Sequence, residues 1–378
     1  MNFNLSEEQN MLKDSVSRFV QNQYDFDTRR KIVDSREGFS RENWQTFSDL
    51  GWLSIPFSEA QGGFGGSVLD TMVVMEELGK GLVAEPFIAT VLLFGGLLSK
   101  SSNSADHAST IQKIIDGDVQ GAFAYLERQS RFETCDIKTT ASKNTNGFSL
   151  NGEKTVVFNG ESADKIIVSA RTNGEQCDQQ GISLFLLDAN SNGIEKTSYR
   201  LMDGQRVANI VFKDVQLSSD QLVGELDHAA PLMQAVIEDV MIAICAEAFG
   251  IMQVLNQTTV EYTKTRKQFG VAIGSFQVLQ HRMVDTFMAC EQTQSLLYRA
   301  ACSSASNNEE ALKDVLALKV MVGRAGKLIG GEAIQLHGGM GITDELNVGH
   351  YVKRLMMINT TFGDADYQQQ KFSALSNA

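Results

Sequence analysis

Proline is scarce in this chain, with only 3 residues among 378. Because proline interrupts helices, its scarcity predicts long continuous helical segments. The 32 glycines show no triplet repeat, which excludes a collagen-like fibre. Hydrophobic residues make up 43% of the chain and charged residues 21%. This balance excludes intrinsic disorder and suits sizeable cores in two or three domains.

Cysteine and basic residues are also limited. The five cysteines are scattered without a Cys-x-x-Cys pair, so we expect no zinc site, no disulfide framework and a reducing compartment. Lys and Arg total 33 against 46 Asp and Glu, a net charge of −13. An acidic chain is a poor candidate for binding nucleic acid, which needs a basic footprint.

No long hydrophobic run is present. The longest apolar stretch, residues 236–251, is interrupted by Glu238, Asp239 and Glu247, so no membrane span is expected. The polar N-terminus lacks the features of a signal peptide. We therefore expect a cytoplasmic location.

Three regions follow one another along the chain. Residues 1–117 are predicted to be helical, starting at a capping box formed by Ser6 and Gln9. Residues 118–226 are rich in short β-branched runs and form a predicted β domain. Residues 227–378 return to helical spacing, with long segments at about 229–265, 276–304 and 308–336 that favour an antiparallel bundle. The predicted fold class is α+β.

The β domain carries a hairpin signal. Asn151-Gly152 lies between two apolar runs, 148–150 and 154–157, and such a pair favours a type I′ turn. Further strands are predicted at about 165–170, 181–187 and 208–212.

Common catalytic motifs are missing. The five histidines are isolated, and no GxSxG or Walker A motif occurs. The glycine-rich loop 58–67 does not match a phosphate-binding pattern, so we interpret it as a connection.

Two segments are more informative. The segment TRKQFG, residues 265–270, either binds a phosphate and a stacked base through Arg266 and Phe269, or simply ends a helix at Gly270. The segment QLHGGMG, residues 335–341, ends another predicted helix with glycines that would allow a backbone or ligand to approach closely.

Taken with the α–β–α order, these segments resemble the acyl-CoA dehydrogenase family of flavoproteins along nearly the whole chain. The resemblance rests on LGWLSIPFSEAQGGFGG (50–66), FSLNGEKTVVFNGESAD (148–164), EYTKTRKQFGVAIGSFQVLQHRMVD (261–285) and IQLHGGMGITDE (334–345). It implies an N-terminal helical domain, a middle β-barrel or sandwich domain and a C-terminal four-helix bundle. It also implies a tetramer that uses FAD to desaturate an acyl-CoA thioester between Cα and Cβ, with an electron-transfer flavoprotein as a possible acceptor.

The resemblance assigns the FAD tail to residues that this chain retains. In the family these positions contact FAD bound mainly to a neighbouring subunit. The matching residues are Arg266, Gln268, Phe269, Gln277, Gln335, Gly338 and Gly339.

The flavin-ring segment departs from the family. The pattern YxxTEPxAGSD corresponds to YLERQSRFETCD at residues 125–136, which lacks both the Thr-Glu-Pro and the Ala-Gly-Ser. The family's Trp-Ile-Thr beside the flavin corresponds to Val156-Val157-Phe158. These departures predict that the ordinary ring site within the same chain is lost.

The catalytic base is displaced or missing. Phe362 occupies the position of the family's usual glutamate, and Val240 occupies the alternative base position, with Met241 in place of a substrate-contacting arginine. Asp364 is the candidate base nearest the first position. The other carboxylates that we considered are Asp366, Glu238, Asp239 and Glu247, the last of which could be desolvated with a raised pKa. For each we expect a structural or solvent role ahead of catalysis.

Three functions follow as hypotheses. The chain is an acyl-CoA dehydrogenase that works alone with a displaced base, a silent partner that completes the FAD site of a heteromer, or a helical interaction protein that has lost flavin. The string FGDAD at 362–366 resembles the small subunits of pimeloyl-CoA and steroid-side-chain dehydrogenases, which pair with a homologous chain in α2β2 tetramers.

Overall fold

The structure is a computed structural model that describes residues 5–376. The described chain forms two compact units, each discontinuous in sequence. The first unit contains the segments up to residue 31, 67–83 and 241 onward, and the second contains 32–66 and 84–240. Among the described residues, no helix is both long enough and apolar enough to cross a membrane.

The helices confirm the predicted helical regions. They are α1 Glu7–Gln23, α2 Phe26–Asp34, α3 Arg41–Asp49, α4 Val68–Lys80, α5 Gly96–Lys100, α6 Ala108–Ile115, α7 Ala230–Thr265, α8 Gln277–Ala305, α9 Ala311–His337, α10 Asn347–Thr360 and α11 Ala365–Ser376. A π-helical segment, Phe87–Gly95, precedes α5. The predicted capping box is confirmed, since Ser6 Oγ accepts the Gln9 N–H at 3.2 Å. The one proline of the long helices, Pro231, lies in the first turn of α7, where it breaks no helical hydrogen bond.

In the first unit, α9 packs against α8, α10 and α11. Helices α4 and α7 touch backbone to backbone. A Cβ added at Gly79 would lie 2.2 Å from the carbonyl oxygen of Glu247, and one added at Gly250 would lie 2.0 Å from that of Glu76. Only glycine permits this close crossing.

The second unit contains the predicted β domain. Its strands are β1 Gly121–Ala124, β2 Thr140–Asn144, β3 Gly147–Phe158, β4 Lys165–Arg171, β5 Ile182–Asp188, β6 Ile194–Arg200, β7 Arg206–Leu217 and β8 Leu222–Val223. They form one sheet in the order β6-β7-β3-β2-β4-β5-β8, with β1 paired parallel to β4. The core of this sheet includes Leu150, Phe185 and Phe212. The α+β architecture is confirmed, while the boundaries at 117/118 and 226/227 stay predictions.

The predicted hairpin turn at Asn151-Gly152 is wrong. Strand β3 runs straight through both residues, and its register with β7 shifts between Leu150 and Gly152, which marks a bulge. The turn lies earlier, where Asn144 pairs with Gly147 across a two-residue loop. Two Asn-Gly pairs lie close together, at residues 146–147 and 151–152. The apolar runs on either side predict a turn at the second pair, whereas the turn lies at the first.

Candidate functional site

The segment around Arg266 forms a small hairpin. Helix α7 ends at Thr265, after which β9 (Lys267–Gln268) pairs with β10 (Val271–Ala272). The turn residues Phe269 and Gly270 both have positive φ, at 53° and 84°. Gly270 is therefore a hairpin-turn residue and does not end the helix, which corrects the second reading of this segment. A non-glycine residue in this conformation costs about 1 kcal/mol, yet Phe269 keeps it with 92% of its surface exposed.

Aromatic contacts hold the retained segments together. Tyr262, in the last turn of α7, stacks on His337 at the end of α9 with ring centroids 4.3 Å apart, and its hydroxyl donates to the His337 carbonyl at 3.3 Å. Phe269 meets Phe276, which precedes α8, edge to face at 6.2 Å. The ends of α7 and α9 and the start of α8 are thus brought together.

The residues that the resemblance assigned to the FAD tail are exposed in this cluster. Gln277 begins α8, Gln335 lies in the last turn of α9, and both are exposed. A Cβ added at Gly338 or Gly339 would meet no atom within 4 Å. We call the seven residues the tail surface: Arg266, Gln268, Phe269, Gln277, Gln335, Gly338 and Gly339. Side chains that offer charge, amides and an aromatic face beside bare backbone suit a nucleotide.

Neither position expected for the base carries a group that can accept a proton. Phe362 is half-buried with φ at 59°, between α10 and α11. Val240 and Met241 are buried within α7. The Gln368 amide donates to the Phe362 carbonyl and approaches the Met241 sulfur at 3.8 Å.

Asp364 caps a helix. Its Oδ1 accepts the backbone N–H of Tyr367 at 2.9 Å, and its carbonyl accepts that of Gln368 at 3.0 Å, both in the first turn of α11. This use of a carboxylate is the ordinary one at a helix start. These contacts of Asp364 are made to the first turn of α11, whereas the contacts at the tail surface join the ends of α7 and α9 and the start of α8.

The other carboxylates considered from sequence are engaged as well. Glu247 forms a buried bidentate pair with Arg354, at 2.6 and 2.7 Å. Glu238 accepts the side-chain amide of Gln234 at 2.6 Å, and Asp239 pairs with Lys100. Asp366 is exposed on α11. Glu247 is thus part of an ion pair and not the isolated carboxylate that its apolar surroundings suggested.

Lys319 was missed by the sequence analysis. It lies fully buried in α9, and its ammonium donates to the carbonyls of Ile358, Asn359 and Gly363, each at 2.9 Å. Burial lowers its pKa to about 8, so the side chain is still mainly charged at neutral pH. It fixes the end of α10 and the loop that carries Phe362. A lone lysine among apolar residues, in VLALKVMVG at residues 315–323, was the available signal.

In the segment that corresponds to the family's flavin-ring motif, the side chains of Tyr125 and Glu127 contact other residues of the β domain. Tyr125 is buried and stacks on Phe123 at 5.0 Å. The buried carboxylate of Glu127 accepts the Lys154 ammonium at 2.8 Å and the backbone N–H groups of Lys138 and Thr139 at 2.8 and 3.0 Å. Burial by itself would raise the pKa of Glu127, but Lys154 and these hydrogen bonds hold that pKa at about 2. This carboxylate stays ionised and unavailable.

Strand β3 carries Val156-Val157-Phe158 at the position of the family's Trp-Ile-Thr, and the strand is irregular there. Val156 has a φ of 52°, and the register of β3 against β7 shifts between Lys154 and Val157. The Val156 N–H donates to the side-chain oxygen of Asn209, which also accepts the Tyr199 hydroxyl. The residues of the ring segment therefore do not reproduce the family's groups for the flavin ring.

Comparison with known proteins identifies the family. The chain matches the acyl-CoA dehydrogenase N-terminal domain over residues 6–118, the middle domain over 122–215 and the C-terminal domain over 232–372. Since these matches cover most of the chain, it belongs to the acyl-CoA dehydrogenase family.

Individual relatives agree with this assignment. The chain is 26% identical to a probable acyl-CoA dehydrogenase of Bacillus subtilis, over 98% of both chains. It is 28% identical to an L-prolyl-[peptidyl-carrier protein] dehydrogenase of a Serratia species, over 98% of this chain and 97% of the relative. The structure of butyryl-CoA dehydrogenase from Megasphaera elsdenii superposes with a TM-score of 0.92 at 25% identity, covering 100% of both chains.

The family sets the class of chemistry. Its members are oxidoreductases that act on CH–CH bonds, and FAD is the cofactor. The tail surface of this chain suits the nucleotide part of FAD, whereas the ring segment and the base positions depart from the family.

Proposed function

We propose that this chain is the small-subunit type of an acyl-CoA dehydrogenase, which completes the FAD site of a homologous, catalytic chain. The observation that carries this proposal is a contrast between two parts of the expected site, the base positions and the tail surface. Both base positions are apolar, at Phe362 and Val240, while the tail surface is intact and open.

The chemistry explains why the base matters. Removing the α-proton of a thioester needs a carboxylate within hydrogen-bond reach, and donors must stabilise the developing enolate. A phenylalanine and a valine cannot accept a proton, and the Asp364 oxygen is held by the Tyr367 N–H. Bound FAD would accept the β-hydride. We infer that the partner chain supplies the base and the ring pocket.

The tail surface gives the chain its part in the reaction. Arg266 offers a planar guanidinium for a phosphate, Phe269 offers an exposed ring for stacking, and Gly338 and Gly339 leave the backbone accessible to the ligand. Each of these groups points to binding and orientation, and none points to proton transfer.

An exposed apolar face supports association with another chain. We call it the α8 face, and it consists of Val278, Val284, Phe287 and Met288, whose exposed fractions are 66, 52, 58 and 49%. Several large apolar side chains exposed on one helix are typical of an interaction surface. We propose a heterotetramer with the homologous chain, and an electron-transfer flavoprotein as the electron acceptor.

The test is expression of the chain alone and together with a homologous chain that carries the intact glutamate segment. Flavin absorbance and thioester-dependent dye reduction are recorded on both preparations. We expect flavin and turnover only in the co-expressed pair. A yellow and active single chain contradicts the partner role and favours an enzyme with Asp364 as base. Colourless, inactive protein in both preparations favours an interaction protein without flavin.

The acyl group is tested in the same assay. The panel includes short, branched and long acyl-CoA thioesters, together with an aminoacyl thioester on a carrier protein, because the Serratia relative is named for such a substrate. Turnover with the carrier-protein thioester alone would contradict the proposed acyl-CoA class.

A further inference from the structure

Two cysteines that are distant in sequence belong to neighbouring segments of the second unit. Cys135 is the last residue but one of the segment that corresponds to the flavin-ring motif, and Cys177 lies in the loop between β4 and β5. The guanidinium of Arg171 joins them: its Nη2 donates to the carbonyls of both Cys135 and Gln176 at 2.8 Å. Its Nη1 donates to the Asp178 carbonyl at 3.0 Å. One buried side chain therefore holds the backbone on both sides of Cys177.

Direct hydrogen bonds join the same segments. The Ile137 N–H donates to the Gln176 carbonyl at 3.0 Å, and the Gln176 side-chain amide donates to Asp136 Oδ1 at 2.5 Å. A direct N–H to carbonyl bond sets two backbones about 5 Å apart. Cys135 and Cys177 lie within two residues of the groups that these bonds join, and a disulfide between them needs Cα atoms roughly 4.4–6.8 Å apart.

Access to solvent distinguishes Cys135 and Cys177 from two of the other thiols in the chain. Cys177 is exposed and Cys135 is half-buried. Cys245 and Cys290 are buried, and burial raises the pKa of each to about 12, which keeps them protonated and unreactive. Cys302, half-buried in α8, is the remaining thiol and serves as a control.

We propose that Cys135 and Cys177 are a redox-active pair that closes to a reversible disulfide between the ring segment and the β4–β5 loop. The oxidant is a peroxide. The exposed Cys177 thiolate attacks one peroxide oxygen, which breaks the O–O bond, releases water after protonation and leaves a sulfenic acid. The Cys135 thiolate then displaces the second oxygen as water and forms the S–S bond. Two thiols and one hydrogen peroxide thus give one disulfide and two waters.

Closing this bond would restrain the ring segment. Residues 125–136 are anchored at one end by the buried Tyr125 and Glu127, and the disulfide would add a covalent restraint at Cys135, whose carbonyl Arg171 already holds. This proposal does not depend on the partner role proposed above, because it concerns bonds within one unit of this chain.

The experiment is disulfide mapping of the purified chain before and after one equivalent of hydrogen peroxide. Unreacted thiols are alkylated, and the protein is digested with trypsin without reduction. We expect the peptide 132–138 joined to the peptide 172–196, a 2 Da loss in intact mass, and reversal by dithiothreitol. Hydrogen exchange of residues 132–138 should slow on oxidation. Cys177→Ser should abolish the joined peptide, whereas the control Cys302→Ser should leave it unchanged.

The proposal is overturned if the two peptides stay separate after oxidation, whether unmodified or carrying sulfinic acid. It is also overturned if either cysteine joins a different one. Mapping on the wild-type chain decides the question even where a serine variant fails to fold.

Discussion

At position 364 a carboxylate is present, but the backbone of α11 already uses its oxygen. Asparagine can accept the same N–H, so Asp364→Asn should change the free energy of unfolding by less than about 0.5 kcal/mol, whereas Asp364→Ala should lose about 1 kcal/mol. Because this residue is a cap, turnover of the co-expressed pair should be unchanged by the asparagine. Urea unfolding and dye reduction measure the two effects. A 100-fold loss of turnover in a well-folded Asp364→Asn protein would make Asp364 the base, since proton transfer contributes about that much or more.

The buried pair of Glu127 and Lys154 allows a test of how much an unpaired buried charge lowers the stability of the β domain. Lys154→Met leaves Glu127 buried without its cation and should cost about 3–5 kcal/mol. The double variant Glu127→Gln/Lys154→Met removes both charges and should recover most of that loss. Chemical denaturation at pH 7 measures the difference. Equal stabilities of the single and double variants would show that leaving the Glu127 carboxylate buried without its cation costs nothing.

The pH dependence follows from the lowered pKa of Glu127. Its pKa falls from 4.5 to about 2 on folding, so its contribution to stability is present above pH 4.5 and is lost as the pH falls towards 2. In Lys154→Met the unpaired carboxylate protonates more readily. The stability gap between this variant and the wild type should therefore narrow below pH 4.5, as measured by unfolding curves at pH 7, 5 and 4.

At the scale of elements, substitution by alanine should have opposite effects on stability at two helical glycines, Gly79 and Gly331. In Gly79→Ala the new Cβ would lie 2.2 Å from the Glu247 carbonyl oxygen, a backbone atom that cannot turn away, so a loss of about 1–3 kcal/mol is expected. In Gly331→Ala the Cβ would meet nothing within 4 Å, and the single chain should gain up to about 1 kcal/mol from helix propensity. Thermal unfolding of both variants checks the signs. A stabilising Gly79→Ala would contradict the close crossing of α4 and α7.

The helices were predictable because periodic apolar spacing over 27 or more residues has no competing interpretation. Strand β6 was not, since Ile194–Arg200 is mostly exposed and shows no apolar pattern. The bulge at Gly152 was misread because local sequence does not reveal pairing with β7, which lies some 60 residues away.

The candidate site was predictable to the extent that its residues are local motifs. The tail surface comes from two short segments whose family resemblance is specific. The partners of buried charges were not predictable, because Glu247 meets Arg354 only through the packing of α7 on α10, 107 residues later. The same holds for Lys319, whose three acceptors are backbone carbonyls without a sequence signature.

At the scale of the whole molecule, the α8 face predicts that the chain does not act alone. Phe287 is 58% exposed, and burying its ring against a partner is worth about 1.5–3 kcal/mol. Phe287→Arg should therefore weaken association by at least tenfold without lowering the stability of the separate chain.

Analytical ultracentrifugation of the co-expressed pair measures this effect, and flavin content should fall along with the fraction of complex. Met11→Arg is the matched control, because Met11 is 70% exposed but lies on α1, outside the α8 face. An undiminished complex with Phe287→Arg would remove the α8 face as the interface. Loss of the complex in both variants would indicate a general effect of added charge, since only a specific interface distinguishes the two positions.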